Sequence, residues 1–447
     1  MSVALVGRED GTLLASTVFS GVACIVGIGV ITLPVLYAKT GWLGGTLILS
    51  LTGIYLFWGC ELIFDSIAAV PLPSGRPTAS YQDLSTRAFG KMGGGLVGAA
   101  LYAEYALFLS VLILMLSDKL SNLTGLSQTA CVWIIAAVLA PLTLMRSTAS
   151  FKWVSFSGVL GSGLLCVLIT IRGFTETGFP GDRVYFKFPG FFPLCVSLAN
   201  IVLVFALGGL VPSIVEGMRQ PNDFKKSLKI IFAISWFIYL LIGVAGYAGW
   251  GEEVLSDKFN LLKTIGTGSA VWQAAVSIAV LLIGLPQFAI TALVVNQAVD
   301  MAVLFLINKR REHSNQSKPI VIGKTTHEDV TPKVLAGSPK AVVQTEPIPQ
   351  TYENVARLMT LAFLAFIADT VSVLDLLIDI ISSVTCVLVV AIIPVLIHWK
   401  LVARKGVPFH EPTSYHRLSI VVGCVAVGTV VMVAGTTQTV IDLINKE

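Results

Sequence analysis

Gly27-Ile-Gly-Val-Ile-Thr-Leu-Pro34 lies at the centre of the first long apolar stretch of the chain. Two glycines and a proline weaken a helix, and irregular backbone at membrane depth is tolerated only where it is buried in protein or lines a cavity. A second stretch of the same kind carries Gly208, Gly209 and Pro212. Two interrupted spans in the two halves of one chain are the sequence pattern that best indicates a transporter's binding site.

Composition places most of the chain in an apolar environment. Of its 447 residues, 55% are hydrophobic and 13% are charged, whereas a soluble domain carries about 25% charged residues. The seven cysteines fall in apolar stretches and are expected to be buried thiols, with a bridge between Cys131 and Cys195 left open. No nucleophile–base pair, metal-ligand cluster or phosphate-binding loop indicates an enzyme or a cofactor, and no basic run with interleaved aromatics indicates nucleic-acid binding.

Eleven apolar stretches have roughly the 20 residues that a spanning helix needs. Most Lys and Arg residues lie in segments that are inside if the N-terminus is cytoplasmic, which predicts N-inside and C-outside. The Pro-rich 308–352 segment is typical of a disordered cytoplasmic loop, so 270–307 is kept as one span that continues inward, although it is long enough for two. The predicted spans are 14–38, 43–69, 95–117, 129–145, 153–171, 193–215, 230–250, 270–295, 354–372, 376–398 and 418–443.

Each interrupted span would place helix ends inside the membrane. The positive end of the outer half-helix suits a carboxylate, and the free carbonyls that end the inner half suit an ammonium or a cation. An amino-acid zwitterion needs both. Close helix packing through small residues is the alternative for the first glycine pair, and the second break favours a site. The expected substrate-binding residues are Ala23, Cys24, Gly27, Ile28, Gly29, Tyr105, Phe205, Ala206, Gly208 and Gly209.

Side chains on other spans add candidates of two kinds. Tyr102 and Tyr105 could donate a hydroxyl to the solute, although packing explains their spacing equally well. An ionisable residue at membrane depth is a functional candidate by default. Glu61, Glu104 and Asp379 are therefore candidates for proton coupling, and pairing with a neighbouring Ser, Tyr or Lys is the alternative for each.

Five motifs in order resemble the amino acid/auxin permease family of the amino acid–polyamine–organocation superfamily. The resemblance covers nearly the whole chain outside 308–352. The motifs are Gly27-Ile-Gly-Val-Ile-Thr-Leu-Pro34, Tyr81-Gln-Asp-Leu-Ser-Thr-Arg-Ala-Phe-Gly90, Pro141-Leu-Thr-Leu-Met-Arg-Ser147 with Ser155-Phe-Ser157, Pro212-Ser-Ile-Val-Glu-Gly-Met-Arg-Gln-Pro221 with Phe224, and Gly243-Val-Ala-Gly-Tyr-Ala-Gly-Trp-Gly251.

The resemblance implies an all-α polytopic membrane protein with two inverted repeats of the leucine-transporter type. A cytoplasmic N-terminus (1–13) would precede the first repeat (14–172), followed by the second repeat (193–398) and an eleventh span (418–443). It implies secondary transport of amino acids by alternating access in the plasma membrane or a vacuolar or lysosomal membrane. A transporter-like amino-acid sensor with little flux is the alternative function.

Two departures from the family's sodium-coupled branch bear on the coupling ion. That branch has an Asn four residues before the first glycine of span 1, where this chain has Ala23, and a Thr two residues before a proline of span 8, where it has Gly284. Both replacements lack a side-chain oxygen, which sodium needs as a ligand. We therefore expect proton-coupled or uncoupled transport.

Overall fold

The computed structural model describes nine parts of the chain. Within them the chain is helical, apart from turns and an isolated bridge that pairs Thr12 with Met218. The described ranges are 11–70, 79–145, 152–175, 183–256, 261–266, 269–316, 350–370, 381–403 and 412–444.

The helices follow the apolar stretches of the sequence. Four short 3₁₀ segments lie between the described helices, at Ile28–Thr32, Gly208–Leu210, Pro221–Asp223 and Gly251–Leu255, and π-helical backbone flanks helix α12 at Ile381–Ile392 and Trp399–Ala403. The α-helices are α1 (Leu14–Ile25), α2 (Leu33–Ala69), α3 (Tyr81–Thr124), α4 (Gln128–Thr143), α5 (Lys152–Thr175), α6 (Phe191–Val204), α7 (Val211–Glu216), α8 (Phe224–Trp250), α9 (Leu261–Gly266), α10 (Ala270–Gln316), α11 (Gln350–Thr370), α12 (Ile393–His398) and α13 (Pro412–Ile444).

Where the structure describes them, the eleven predicted spans are mainly helical. Among the described residues, eight helical segments are long and apolar enough to cross a membrane. Helix α10 runs unbroken from Ala270 to Gln316, which agrees with the single span predicted there. The predicted 308–352 loop is shorter at both ends, because α10 continues through 308–316 and α11 already begins at Gln350; the interval between them lies outside the described residues.

Both spans are interrupted at their glycine pairs, as the sequence predicts. Helix α1 ends at Ile25, Gly27 has extended backbone (φ −136°, ψ −143°), and a 3₁₀ turn leads to Pro34 in the first turn of α2. Proline fits this position because it lacks the N–H that a first turn leaves unpaired. Helix α6 ends at Val204, and the same order of unwound residues, 3₁₀ turn and proline leads into α7.

The sharp turn between the first and second spans depends on Gly41. Its φ of 77° favours glycine, and a Cβ there would lie 2.7 Å from the Val184 carbonyl oxygen. Residues 184–187 pack against this turn: the Leu43 N–H donates to the Tyr185 carbonyl at 2.9 Å, and the Lys187 N–H donates to the Thr40 carbonyl at 3.0 Å. The segment thus covers the predicted outer end of the broken spans.

At the other end, backbone hydrogen bonds tie the start of the first span to the exit of the sixth. The Thr12 N–H donates to the Gly217 carbonyl at 2.8 Å, and the Arg219 N–H donates to the Thr12 carbonyl at 3.0 Å. Gly11 allows this approach, because a Cβ there would lie 2.5 Å from the Arg219 nitrogen. We call Thr12 with Gly217 and Arg219 the inner clasp.

The core lies where the broken spans meet α3, α5, α8 and α10, which pack against one another. In the most apolar part of α10, 78% of the residues are buried, compared with 22% in α13. Helix α13 is therefore peripheral and packs on α6 and on the π-helical backbone at Ile381–Ile392. The inverted repeat and its domain boundaries stay predictions.

Candidate functional site

The two breaks meet beneath a tyrosine from α8. The Tyr239 hydroxyl donates to the Ile25 carbonyl, the last residue of α1, and also lies 2.9 Å from the Val204 carbonyl oxygen, the last of α6. Tyr239 is fully buried. One side chain thus fixes the distance between the ends of both half-helices.

A small cavity opens beside this junction, between α1, α3, α6 and α10. About 20 Å³ of it is open to the centre of a water molecule, which is room for roughly one water. In this conformation the cavity is therefore too small for an amino acid, and solute binding requires it to widen. Its lining residues are Cys24, Ile25, Gly29, Glu104, Tyr105, Phe108, Leu203, Val204, Ala206, Leu210, Gln287 and Thr291.

Three polar atoms converge on this cavity without a hydrogen-bond partner among the described residues. They are the Glu104 Oε2, the Tyr105 hydroxyl and the Gln287 Oε1, all buried. A buried polar atom left unpaired costs about 1–3 kcal/mol. Three in one place indicate groups arranged for a polar ligand, because a structural core would pair them or replace them with apolar groups.

The glycines of the breaks let these side chains approach. A Cβ on Gly27 would lie 1.9 Å from the Gln287 amide nitrogen, and one on Gly209 would lie 2.5 Å from the Tyr105 hydroxyl. A Cβ on Gly29 would lie 2.7 Å from the Val204 side chain and 3.1 Å from its Cα. The close packing considered as the alternative for the glycines is thus present, and it packs them against residues of the cavity itself.

The structure places four of the ten expected substrate-binding residues on the cavity. Cys24, Gly29, Tyr105 and Ala206 line the cavity, and so does the coupling candidate Glu104. Gln287 also holds the first break, since its amide donates to the Cys24 carbonyl at 3.2 Å.

The other expected residues lie around the cavity without lining it. Phe205 is fully buried, stacked on Phe232 at 5.7 Å between ring centroids and edge-on to Tyr239 at 5.1 Å. Gly208 faces Val390. Ala23 packs beside Gly158, where a Cβ added to the glycine would lie 3.0 Å from the Ala23 Cβ.

The last two expected residues, Gly27 and Ile28, belong to the first break. Gly27 adjoins the cavity through Gln287, and Ile28 begins the first 3₁₀ turn.

The remaining polar candidates are also outside the cavity. Glu61 is half-buried on α2, and the Tyr102 hydroxyl donates to Gln82 at 2.9 Å. Asp379 lies outside the described residues. Cys131 and Cys195 are both free and buried, so the bridge left open between them is not formed.

Sequence reasoning named no binding residue on α10. Gln287 and Thr291 stand one helical turn apart, directly after Pro286, in an otherwise apolar run. Residues four apart share one face of a helix, so this polar pair was the available signal. Tyr239 carried no such signal, because its partners lie 214 and 35 residues away in the chain.

Aliphatic side chains pack close to Gly284 and to Gly158, which lies beside Ala23. A Cβ on Gly158 would lie 2.5 Å from the Pro286 side chain, and one on Gly284 would lie 2.5 Å from the Leu116 side chain. Within the described parts of the chain, no three His, Cys, Asp or Glu side chains form a group that could hold a metal ion.

A larger cavity is less suited to a zwitterion. It measures about 330 Å³, lies between α2, α6, α13 and the π-helical backbone, and is lined almost wholly by apolar groups. Its polar groups are few, and the Tyr55 hydroxyl already donates to the Ala391 carbonyl at 2.7 Å.

The sequence profile of a family described as transmembrane amino acid transporter protein matches residues 11–441. Among curated proteins, the chain is similar to the amino acid transporters AVT1J and AVT1D of Arabidopsis thaliana. It is 25% identical to AVT1J over 284 residues, which are 60% of this chain and 65% of that protein. It is 26% identical to AVT1D over 279 residues, 59% of this chain and 49% of that protein. The matched region thus spans about half to two-thirds of these relatives.

Among solved structures, the fold is similar to that of Mhp1. Mhp1 is described as a nucleobase-cation-symport-1 family transporter in a closed conformation with bromovinylhydantoin bound. The TM-score is 0.55 over 98% of this chain and 93% of that one, with 12% sequence identity. At this identity the likeness establishes the fold alone.

Proposed function

Because the chain belongs to the transmembrane amino acid transporter family, we propose that it carries an amino acid across a membrane by alternating access. The solute binds in the cavity between the two breaks. The observation that carries this proposal is the convergence of unpaired Glu104, Tyr105 and Gln287 atoms on that cavity.

The two ends of an amino acid match the groups around the cavity. Carboxylates bind at helix N-termini, where free N–H groups and the helix dipole are positive, and the helical turn that starts at Ile28 continues into α2. An ammonium group is suited to the Glu104 carboxyl and the Tyr105 hydroxyl. Phe108, Leu203 and Leu210 add apolar walls, which suit a small neutral side chain.

The arrangement supports a closed state in an alternating-access cycle. The inner clasp joins the first and sixth spans at the ends that the charge distribution predicts to be cytoplasmic. On the opposite side, Lys187 pairs with Glu252 at 2.7 Å and Arg183 donates to the Ala248 carbonyl at 3.4 Å. Opening toward either side then requires one set of contacts to separate while the other holds.

Glu104 is the carboxyl best placed to carry a proton. It is 2% exposed, and a charged carboxylate in an apolar site is costly without a paired cation. Protonation of Glu104 removes that cost and leaves a carbonyl oxygen that still accepts from the solute ammonium, so the proton and the solute can occupy the closed cavity together. Proton symport through Glu104 follows from this joint occupancy, and the lack of a side-chain oxygen at Ala23 and Gly284 argues against a sodium ion there.

The test is uptake of radiolabelled amino acids by proteoliposomes at two external pH values, with sodium or choline as the cation. We expect uptake of small neutral amino acids that persists in choline and rises as the external pH falls. Glu104→Gln should abolish the pH dependence but leave exchange of labelled for unlabelled solute.

Glu61→Gln is the matched comparison, because Glu61 is a carboxyl at membrane depth outside the cavity. Loss of the pH dependence in Glu61→Gln with retention in Glu104→Gln would refute the assignment. Binding without counterflow would identify a sensor in place of a transporter.

A further inference from the structure

Tyr239 holds an unusual position for a neutral side chain. Its hydroxyl contacts the carbonyl oxygens of Ile25 and Val204, which end α1 and α6. The last carbonyls of a helix lack intrahelical partners and carry its negative partial charge. Two negative helix ends therefore converge on one point in the middle of the protein.

In transporters with broken helices, such ends and the unwound carbonyls beside them coordinate the driving cation. Here a phenol occupies that point. One O–H carries a single proton, so it serves both carbonyls in a shared, three-centre arrangement. The Tyr239 ring is held by Phe205 at 5.1 Å, edge to face.

A neighbouring carbonyl of the first break is also paired with a neutral donor. The Gln287 amide donates to the Cys24 carbonyl at 3.2 Å. The Ser162 hydroxyl, which lies 3.5 Å from the Val26 carbonyl oxygen, donates to the Gly158 carbonyl at 2.8 Å. Two successive carbonyls, those of Cys24 and Ile25, thus accept from an N–H or O–H of another helix, and a cation would have to displace these donors.

We propose that Tyr239 is a positioning residue whose hydroxyl takes the place of a cation at the two helix ends, so that the solute cavity forms without sodium. This inference rests on the proposed function, since it concerns the same site. Tyr239 does not line the cavity and acts through the Ile25 and Val204 carbonyls, whose residues do.

The experiment compares Tyr239→Phe with Tyr37→Phe. Tyr37 is equally buried, and its hydroxyl bonds Thr46 at 3.1 Å, away from both breaks. Uptake is measured in proteoliposomes with sodium chloride or choline chloride, and thermal unfolding is measured in the same salts for the purified full-length proteins.

We expect wild-type uptake to be equal in the two salts and Tyr37→Phe to stay within about twofold of wild type. Tyr239→Phe should raise KM about tenfold, with a smaller effect on kcat, because losing one well-placed hydrogen bond costs roughly that factor. In choline, it should also unfold at a lower temperature than Tyr37→Phe and recover part of that difference in sodium, which can then reach the freed carbonyls.

Three results would overturn the inference. They are wild-type uptake that requires sodium, a KM for Tyr239→Phe equal to that for Tyr37→Phe, and identical unfolding of the two variants in both salts. If no amino acid is transported by the wild-type protein, the proposed function fails, and the unfolding comparison still decides the role of Tyr239.

Discussion

Replacing Gly209 by alanine should strongly reduce transport, while the same change at the adjacent Gly208 should not. The Gly209 Cβ would lie 2.5 Å from the Tyr105 hydroxyl, 2.7 Å from Leu101 Cδ1 and 3.0 Å from the Tyr105 ring. The Gly208 Cβ would meet Val390 at 3.4 Å, an ordinary contact. Both residues belong to the same 3₁₀ turn, so the two substitutions share their backbone cost.

The size of the effect follows from these distances. Ordinary contact begins at 3.4 Å, so the Tyr105 hydroxyl must retreat by about 0.9 Å to admit the Gly209 methyl group. Misplacing a functional group by about 1 Å can cost as much as 100-fold in rate. We expect uptake at limiting solute to fall about ten- to a hundredfold in Gly209→Ala, with a loss of stability of about 1–3 kcal/mol from overpacking.

The assay is initial-rate uptake in proteoliposomes, normalised to the amount of folded protein from size-exclusion chromatography. Thermal unfolding of the same preparations separates a displaced Tyr105 from a protein that has lost its fold. Equal uptake by Gly209→Ala and Gly208→Ala would refute the reasoning, because it would mean that the position of the Tyr105 hydroxyl does not matter to the solute.

Two further predictions concern the inner side. Thr12→Pro removes the N–H that donates to the Gly217 carbonyl. Because one hydrogen bond contributes about 1 kcal/mol, this change should shift the population toward an inward-open state about fivefold. Thr12→Val, which keeps that N–H, is the control. Alkylation of Cys24 from the cytoplasmic side reports the shift, and equal rates in the two variants would contradict it. Asp300→Ala should destabilise the protein by about 3 kcal/mol, because Arg357, which is 5% exposed and bonded to both Asp300 carboxylate oxygens, loses its partner. A thermal unfolding midpoint unchanged from wild type would exclude that contribution.

The breaks were predictable because they are local. Glycine pairs and prolines act on the backbone of their own segment, so Gly27, Gly29 and Pro34 indicated the first break and Gly208, Gly209 and Pro212 the second. The long apolar runs indicated the spans for the same reason.

The partners of the breaks were not predictable in this way. Gln287 reaches Cys24 across 263 residues, and nothing near either residue in the sequence specifies the other. Phe205 was expected to bind the solute, but its ring packs on Phe232 and Tyr239 of α8 instead. Which way a side chain at a break points depends on the helices packed around it.

The two interpretations of the glycine pairs, close packing and site formation, describe one arrangement in this protein. Gly27 packs against Gln287 and Gly209 against Tyr105, and these two side chains carry unpaired polar atoms into the cavity. A Cβ at either glycine would push a polar group away from the solute position. Glycine is therefore required at these places because close packing brings the ligand groups within reach, and unwound backbone makes that packing geometrically available.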